Sequence, residues 1–309
     1  MIESVTVTNS KNESITLELA NPWSSGFGIS DISGLGPVAA AINTTSYATR
    51  DGSVFNSARL DNRNIVFTLI FLPTDNESVE DIRQRSYRYF PIKRLITLVF
   101  KTTNRTCRTS GYVESNEPNI FSKRQTSQIS VICPDPYFYD DNSRQKIMFM
   151  EAVPLFCFPF ANEGTDTKTI KMGEIQRRVT KAFEYKGEGR SGIELLLYFS
   201  GEVTGVITVT NETTSQKILI DTALIPKEYL LKSGDRIRIL TYLGDKQVQL
   251  WKYDKENTIY LTSNILNCVG SGSDWLEVIN GSNSITVSAE NGEDNIDVTV
   301  ITTVKYEGL

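Results

Sequence analysis

Few residues of this chain could do chemistry, because it contains no histidine. That absence removes Ser-His-Asp and Cys-His nucleophile activation, histidine-ligated zinc and the commonest general base at neutral pH. Paired carboxylates could still hydrolyse a glycosidic bond. The candidate acids are Asp140 with Asp141, and the group of Glu290, Glu293, Asp294 and Asp297. Because both groups lie beside Asn and Gly in turn-like sequence, where solvated acids are common, we predict no catalytic residue and no enzymatic activity.

The cysteine and glycine spacings argue against a metal or a cofactor. The four cysteines, Cys107, Cys133, Cys157 and Cys268, have no C-x-x-C spacing and are predicted to be buried small hydrophobic residues. Residues 187–192 (GEGRSG) match the dinucleotide fingerprint G-x-G-x-x-G, which works only between a strand and a helix N-terminus. Here the motif leads into a strand-like run at residues 193–199. We predict an interstrand loop, no metal site and no cofactor.

Charge and hydropathy exclude several classes of partner. The net charge of -5 provides no electrostatic footprint for nucleic acid. The longest apolar runs, such as residues 65–72, are too short to span a bilayer. Residues 1–3 begin a strand pattern with no basic or apolar leader before it. We predict no sequence-specific nucleic-acid binding, no membrane insertion and no export by the usual signal.

A proline-flanked joint near the middle predicts two domains. The β-branched run of residues 129–133 stops at Pro134-Asp135-Pro136, and three aromatic residues follow at 137–139. Proline has no ladder donor and forces the preceding residue into an extended or turn conformation. The length of 309 residues also exceeds what one hydrophobic core usually supports. We predict one domain over residues 1–138 and a second over residues 139–309.

The first half combines regular strands with one unusual stretch. In residues 1–20, apolar and polar residues alternate in two runs joined by a turn, which predicts a β-hairpin. Residues 65–72 are apolar on both faces, which predicts a strand buried between layers. Between them, residues 21–49 are rich in Gly, Ser and Ala, and Asp51-Gly52 is a tight-turn signal. Because a long irregular region is unusual inside a compact domain, we interpret residues 21–49 as a functional or intersubunit arm.

One helix is predicted at residues 77–90. Thr74 to Glu77 fits a capping box, and Pro91 ends the helix. Its far face carries arginines, for which two interpretations are open. Basic residues between tyrosines could contact nucleic acid, or cations near the C-terminus could complement the helix dipole and find acidic partners on a neighbouring subunit.

The second half contains strand-length runs separated by turns and no helix pattern. This spacing is typical of a β-sandwich. The predicted strands are residues 193–200, 205–210, 217–221, 236–243, 247–253, 258–261, 284–289 and 296–306.

Several short motifs resemble, in order and spacing, the distal tail protein (Dit) family of tailed bacteriophages, also described as phage tail family proteins. In the first half these are Asp51-Gly52-Ser53, Arg63-x-Ile65-x-Phe67, the single helix, residues 95–100 and residues 133–138. In the second half they are Asn162-Glu163-Gly164, residues 234–239, Asp274-Trp275-Leu276 and residues 281–285.

The resemblance implies a fold and a role. The fold would be mainly β: an N-terminal β-sandwich with one α-helix and a β-hairpin, followed by a C-terminal galectin-like β-sandwich. Six copies would form a ring at the baseplate hub in the virion tail tip, after assembly in the bacterial host cytoplasm. The implied partners are other copies of the chain, the tail tube protein, a tip or tail-associated lysin protein and a receptor-binding protein.

The residues also suggest a surface for contact between copies of the chain. We predict a ring interface that includes Trp23, Phe27, Arg83, Arg85 and Arg88. We expect residues 1–138 alone to form the closed oligomer and residues 150–309 alone to fold as a monomer.

The alternative function is a carbohydrate-binding receptor-recognition module. Its sugar platform would be Trp275 or Trp251, since aromatic faces suit sugar rings. Galectins also use a histidine, which this chain lacks. The role of residues 150–192 stays open.

Overall fold

The computed structural model describes residues 1–49, 51–75, 77–154, 173–177, 179–226 and 230–309. They form two compact units: residues 1–143 together with 305–309, and residues 144–304. We call them the first and the second unit. The division assigns residues 139–143 and 305–309 to the first unit, whereas the sequence-based boundary assigned them to the second domain. No helix in the described part of the chain combines the length and hydropathy that a membrane crossing needs.

The first unit is built mostly of strands. It contains β1 (Ile2–Thr8), β2 (Ser14–Glu18), a 3₁₀ turn (Pro22–Ser24), β3 (Phe27–Ser33), β4 (Ala40–Ser46), β5 (Ser53–Leu60), β6 (Arg63–Phe71), α1 (Val79–Tyr89), β7 (Leu95–Thr102), β8 (Thr106–Asn119), β9 (Thr126–Cys133) and the start of β10 (Phe138–Met148).

Two sheets of the first unit share the long strand β8. One has the order β2-β1-β7-β8, and the other has the order β3-β6-β9-β8. The register of β8 with β9 shifts between Val113 and Ser115, and such a bulge bends a strand from one sheet into the next. Alternate residues of β6 point into the core, where Phe67 stacks on Phe100 at a ring-centroid distance of 6.3 Å. The strand predicted at residues 65–72 is thus confirmed at Arg63–Phe71, between β3 and β9. Only one of its faces is fully buried, whereas the sequence predicted a strand buried between two layers.

The helix is confirmed, but its predicted cap is wrong. The N-cap is Ser78, whose hydroxyl accepts a hydrogen bond from the Asp81 amide while the Asp81 carboxylate accepts one from the Ser78 amide. Thr74 and Glu77 instead exchange backbone hydrogen bonds in a tight turn before the helix. Because that turn uses up the Thr74 and Glu77 backbone groups, the helix starts only after Ser78 and ends before Pro91.

The prediction that residues 21–49 are irregular is also wrong, while their role as a functional or intersubunit arm stays a prediction. They contain the 3₁₀ turn and the strands β3 and β4. The signal of β3 is hidden by a register shift between Ile29 and Asp31, which breaks the alternation of apolar and polar residues. The signal of β4 is hidden because most of its residues are exposed and polar.

The second unit is a β-sandwich, as predicted. Its strands are β11 (Met150–Pro154), β12 (Gly173–Arg177), β13 (Thr180–Tyr185), β14 (Ser191–Gly192), β15 (Glu194–Phe199), β16 (Thr204–Asn211), β17 (Gln216–Asp221), β18 (Arg236–Tyr242), β19 (Asp245–Asp254), β20 (Ile259–Asn264), β21 (Glu277–Val278), β22 (Gly281–Asn291) and β23 (Ile296–Tyr306), with 3₁₀ turns at Thr222–Leu224, Leu266–Cys268 and Glu293–Asn295.

The two main sheets of the second unit have the orders β23-β15-β18-β19-β20 and β13-β22-β16-β17. Each contributes alternate apolar residues to one buried cluster, such as Leu195 and Ile237 from the first sheet and Val209 and Ile285 from the second. The mainly β fold class predicted from the sequence is confirmed. The motif at residues 162–164 and Cys157 lie outside the described residues.

Candidate functional site

The most exposed element of the first unit is the hairpin of β4 and β5. The two strands pair antiparallel from Ala40–Leu60 to Ser46–Ser53 and form a two-stranded sheet of their own. The turn signal Asp51-Gly52 lies at its tip, where Gly52 adopts a positive φ of 83°. An isolated two-stranded hairpin is at best marginally stable in water, and this one pairs with no third strand among the described residues.

One face of this hairpin carries most of its large apolar side chains and is open to solvent. The register places Ile42 and Phe55 on this face, with Ala40, Ala58 and Leu60 towards the base and Thr44, Ser46 and Ser53 towards the tip. Ile42 is 63% exposed and Phe55 is 62% exposed. The opposite face carries polar side chains such as Asn43 and Ser57, which are hydrogen-bonded at 3.1 Å. We call the face of Ile42 and Phe55 the apolar hairpin face. Contiguous exposed apolar surface on an otherwise polar element marks an interaction site.

The base of the hairpin is held by Arg63. This guanidinium has no exposed surface and donates to the carbonyl oxygens of Gly34, Gly36, Pro136 and Glu307 at 2.5–2.8 Å. The four acceptors come from three distant parts of the chain. Arg63 therefore ties the segment before β4 to two other segments of the first unit.

Two further features shape this anchor. The Arg63 guanidinium carbon lies 4.3 Å from the ring centre of Phe138, and burial lowers the pKa of Arg63 from its ordinary value. Gly34 has a φ of 82°, and a Cβ added there would lie 1.9 Å from the Asn64 carbonyl oxygen. Glycine is therefore required where the chain passes Arg63.

The helix arginines find their acidic partners within the chain. Arg83 pairs with Glu80 at 3.1 Å and Arg85 pairs with Glu77 at 2.9 Å, while Arg88 pairs with Glu13. Partners on a neighbouring subunit, which we invoked for these arginines, are therefore not needed to neutralise them.

The link between Glu13 and Arg88 predicts a pH dependence. Hydrogen bonds from Arg88 and Asn9 lower the pKa of Glu13 from 4.5 to about 2. Because the folded-state pKa is depressed, the stabilisation is complete above the unfolded pKa and is lost as pH falls towards 2. We expect Glu13→Gln to unfold more readily than the wild type at pH 6, and the difference to vanish near pH 2. Urea unfolding across this range measures it, and a difference that persists below pH 2 would contradict the assignment.

The two predicted aromatic interface residues lie in different surroundings. Trp23, in the 3₁₀ turn, is exposed. Phe27 is buried and packs edge-on against Phe71 at a centroid distance of 6.0 Å, with Arg85 over its other side. A buried Phe27 offers no surface to a partner, so of these two only Trp23 is available for one.

The proposed sugar-platform tryptophans are both half-buried. The Trp251 indole donates to the Gln249 side chain at 3.1 Å and lies 6.0 Å from the Tyr260 ring. Trp275 packs against the core of the second unit, and Lys246 lies 5.4 Å from its ring centre. Such packing and hydrogen bonding are also ordinary for a structural tryptophan, so these contacts do not single out either residue as a sugar platform.

The remaining candidates for chemistry form no metal site within the described residues. Asp140 accepts a hydrogen bond from the Tyr306 hydroxyl, and Asp141 lies 3.8 Å from Arg108. Cys107, Cys133 and Cys268 are buried, and burial raises the pKa of each thiol. A raised pKa disfavours the reactive thiolate.

Sequence reasoning missed the residues that matter most in this site. Ile42 ends a run of alanines and Phe55 follows Val54, so neither lies in an alternating pattern. Their shared face follows only from a register that includes a bulge between Asn43 and Thr44. The turn signal Asp51-Gly52 between Ile42 and Phe55 was the available clue.

Comparison with known proteins identifies a related domain and a shared fold. Residues 14–145 match the model of the phage tail protein RIFT-related domain. No curated protein matches the chain. The fold is similar to that of the SPP1 Dit protein, described as a paradigm of the hub adsorption apparatus in phages that infect Gram-positive bacteria. The TM-score is 0.56 at 12% identity, over 97% of this chain and 98% of that one.

A second similar structure comes from the phage P2 baseplate in its activated conformation with Ca. Its TM-score is 0.51 at 12% identity, and the match covers 100% of both chains. At this identity the likeness shows the fold. Residues 14–145 therefore form a phage tail RIFT-related domain, and the chain has the fold of phage distal tail and baseplate proteins, which confirms the resemblance found in its sequence.

Proposed function

We propose that this chain is a structural, non-enzymatic component of a phage or phage-like tail tip, and that six copies close into a ring that joins the tail tube to the baseplate. The observation that carries the proposal is the apolar hairpin face. Ile42 and Phe55 are exposed on a two-stranded sheet that pairs with no third strand among the described residues.

A second copy of the chain is the occupant that best explains this face. A hairpin with one apolar and one polar face can lie across a neighbouring subunit and leave its polar side in solvent. In a ring, each subunit meets its neighbours through two unlike surfaces, and rotation closes the assembly. The first unit would build this ring. The second unit buries its own apolar residues in one cluster and would project from the ring as a monomeric domain.

The proposed partners follow from this position. One side of the ring would contact the tail tube protein, and the other would contact a tip or lysin protein. A receptor-binding protein would attach to the rim. The chain would assemble in the bacterial host cytoplasm and remain in the virion tail tip.

The direct test is the mass of the intact chain in solution, alone and with the end of a tail tube. The proposal expects a closed oligomer in at least one of these conditions. A chain that stays monomeric in both contradicts it. The neighbouring reading frames provide an independent check, since a tape-measure gene before this one and a tip or lysin gene after it are expected.

A further inference from the structure

The second unit carries an ordered row of polar and aromatic side chains on the outer face of its sheet β23-β15-β18-β19-β20. The strand registers place one residue of each strand in this row, and none of the five side chains is buried. In strand order the row consists of Asp297, Tyr198, Arg236, Trp251 and Thr262. We call this row, together with its neighbours Arg238, Gln249 and Tyr260, the aromatic sheet face.

Arg236 lies at the centre of the row without a charged partner. Its guanidinium carbon lies 4.9 Å from the ring centre of Tyr198 and 4.3 Å from that of Tyr260. Among the residues that the structure describes, no carboxylate or other acceptor binds this guanidinium. A guanidinium has five N–H donors in one plane. Arg236 therefore offers several oriented donors to a ligand, and two aromatic rings hold it in place.

Trp251 is oriented by a relay of hydrogen bonds along β19. Its indole N–H donates to the Gln249 side chain at 3.1 Å, and the Gln249 amide donates to Gln247 at 2.8 Å. The Gln247 amide in turn donates to the Asp245 carboxylate. The indole cannot turn without breaking this relay. A binding surface that is fixed in advance loses little conformational entropy when a ligand binds.

The charges of this face exclude electrostatic attraction as its basis for binding. Within the second unit, the five strands place two arginines and three acids on it: Arg236, Arg238, Glu194, Asp245 and Asp297. Arg238 already binds Glu194 at 2.6 Å. The face therefore has no positive excess, and the whole chain has a net charge of -5. An anionic ligand gains nothing from long-range attraction here.

Neutral hydroxyl groups match this surface. The guanidinium and amide groups donate, the carboxylates accept, and aromatic rings such as Trp251 can pack against the C–H side of a sugar ring. A protein partner usually requires projecting apolar or aromatic anchors, whereas the rings of this face are all half-buried. The row crosses five strands and spans about 19 Å at the usual strand separation, so several sugar units can lie along it.

We infer that the aromatic sheet face binds a neutral saccharide chain, with Arg236 donating to hydroxyl groups and Trp251 packing against a sugar ring. This inference gives the second unit a binding role and does not depend on the ring that we propose for the first unit. It also assigns the sugar platform to Trp251. Trp275 lies outside the strands of this sheet and packs against the core.

A glycan array probed with the intact chain tests the inference. The array carries neutral, carboxylated and phosphorylated oligosaccharides, and we expect binding to a group of neutral glycans. Arg236→Met is expected to weaken this binding about tenfold or more, because it removes five donors and keeps an apolar stem between the rings. Arg236→Lys should recover little of it, since the planar fork and not the charge is required. Arg108→Met, which removes an exposed arginine of the first unit, is the matched control and should bind like the wild type.

Two tryptophan variants locate the site on the second unit. Trp251→Leu is expected to abolish glycan binding, while Trp275→Leu keeps it. Thr262→Arg places a long side chain at an exposed position of the row and should block binding without touching the core. Circular dichroism and thermal unfolding show which variants are folded, and Thr262→Arg and Arg236→Met decide the question if a tryptophan variant does not fold.

Four results would overturn the inference. They are no binding to any glycan of the array, binding only to carboxylated or phosphorylated glycans, undiminished binding by folded Arg236→Met and Thr262→Arg, and loss of binding in folded Trp275→Leu alone. If Arg236→Met instead loses the binding of another tail protein while no glycan binds, the face is a protein interface. The mass of the chain in solution tests the proposed ring separately, so failure of one proposal is distinguishable from failure of the other.

Discussion

Replacing Arg63 with methionine is expected to lower the free energy of unfolding of the first unit by about 3–5 kcal/mol. Methionine fills a similar buried volume but donates no hydrogen bond. The carbonyl oxygens of Gly34, Gly36, Pro136 and Glu307 would then lose their shared donor. Removing one buried charge offsets part of this loss, because burial already disfavours the charged guanidinium. Chemical denaturation of the intact chain, followed by fluorescence and circular dichroism, measures the change.

Arg63→Lys separates charge from geometry. Lysine keeps the positive charge but has one nitrogen with three donors, so it cannot reach four carbonyl oxygens held around a planar fork. We expect it to recover only part of the lost stability. If Arg63→Lys were as stable as the wild type, or if Arg63→Met lowered the free energy of unfolding by less than about 1 kcal/mol, the four hydrogen bonds of Arg63 would not stabilise the first unit as we expect.

The second large effect is expected on the apolar hairpin face. The double variant Ile42→Asp and Phe55→Asp should weaken ring formation about 100-fold or more, because it places two charges at the centre of the proposed contact. Both side chains are exposed in the protomer, so thermal unfolding of the protomer should change little. Analytical ultracentrifugation across a dilution series measures the assembly.

The opposite face of the hairpin provides the control. Asn43→Asp with Val54→Asp adds the same two charges to the same strands, since the register places these residues on the polar side. We expect this variant to assemble much more strongly than the first. Equal assembly of the two double variants would show that the apolar hairpin face is not the contact.

The sequence predicted those elements whose signal is local. A continuous apolar run identified the strand near residues 65–72, which the structure has at Arg63–Phe71, and helical spacing with Pro91 identified the helix. Strands β4 and β5 gave no such signal, because an exposed ribbon has no buried face to impose alternation. The capping box was assigned to Thr74 because Thr74 and Glu77, like Ser78 and Asp81, are a hydroxyl residue and an acidic residue three positions apart.

The environments of Arg63, Phe27 and Arg88 were harder to predict because they depend on distant parts of the chain. Arg63 appeared in the sequence only as part of a motif. Its buried state depends on carbonyl groups up to 244 residues away. Phe27 looked available until the structure placed Phe71 and Arg85 against it. Arg88 looked unpaired because its partner, Glu13, lies 75 positions earlier in the chain.

We expect the chain to close into a ring through its first unit. Intact chain is the better sample, since a fragment that ends at residue 138 would lack the Glu307 carbonyl that Arg63 binds. The decisive measurement is its mass in solution at the highest soluble concentration and at the end of a tail tube. We predict a closed species of six times the 34.7 kDa protomer, and residues 150–309 alone as a folded monomer. A monomeric intact chain in both conditions, or an oligomer formed by residues 150–309 alone, would contradict this account.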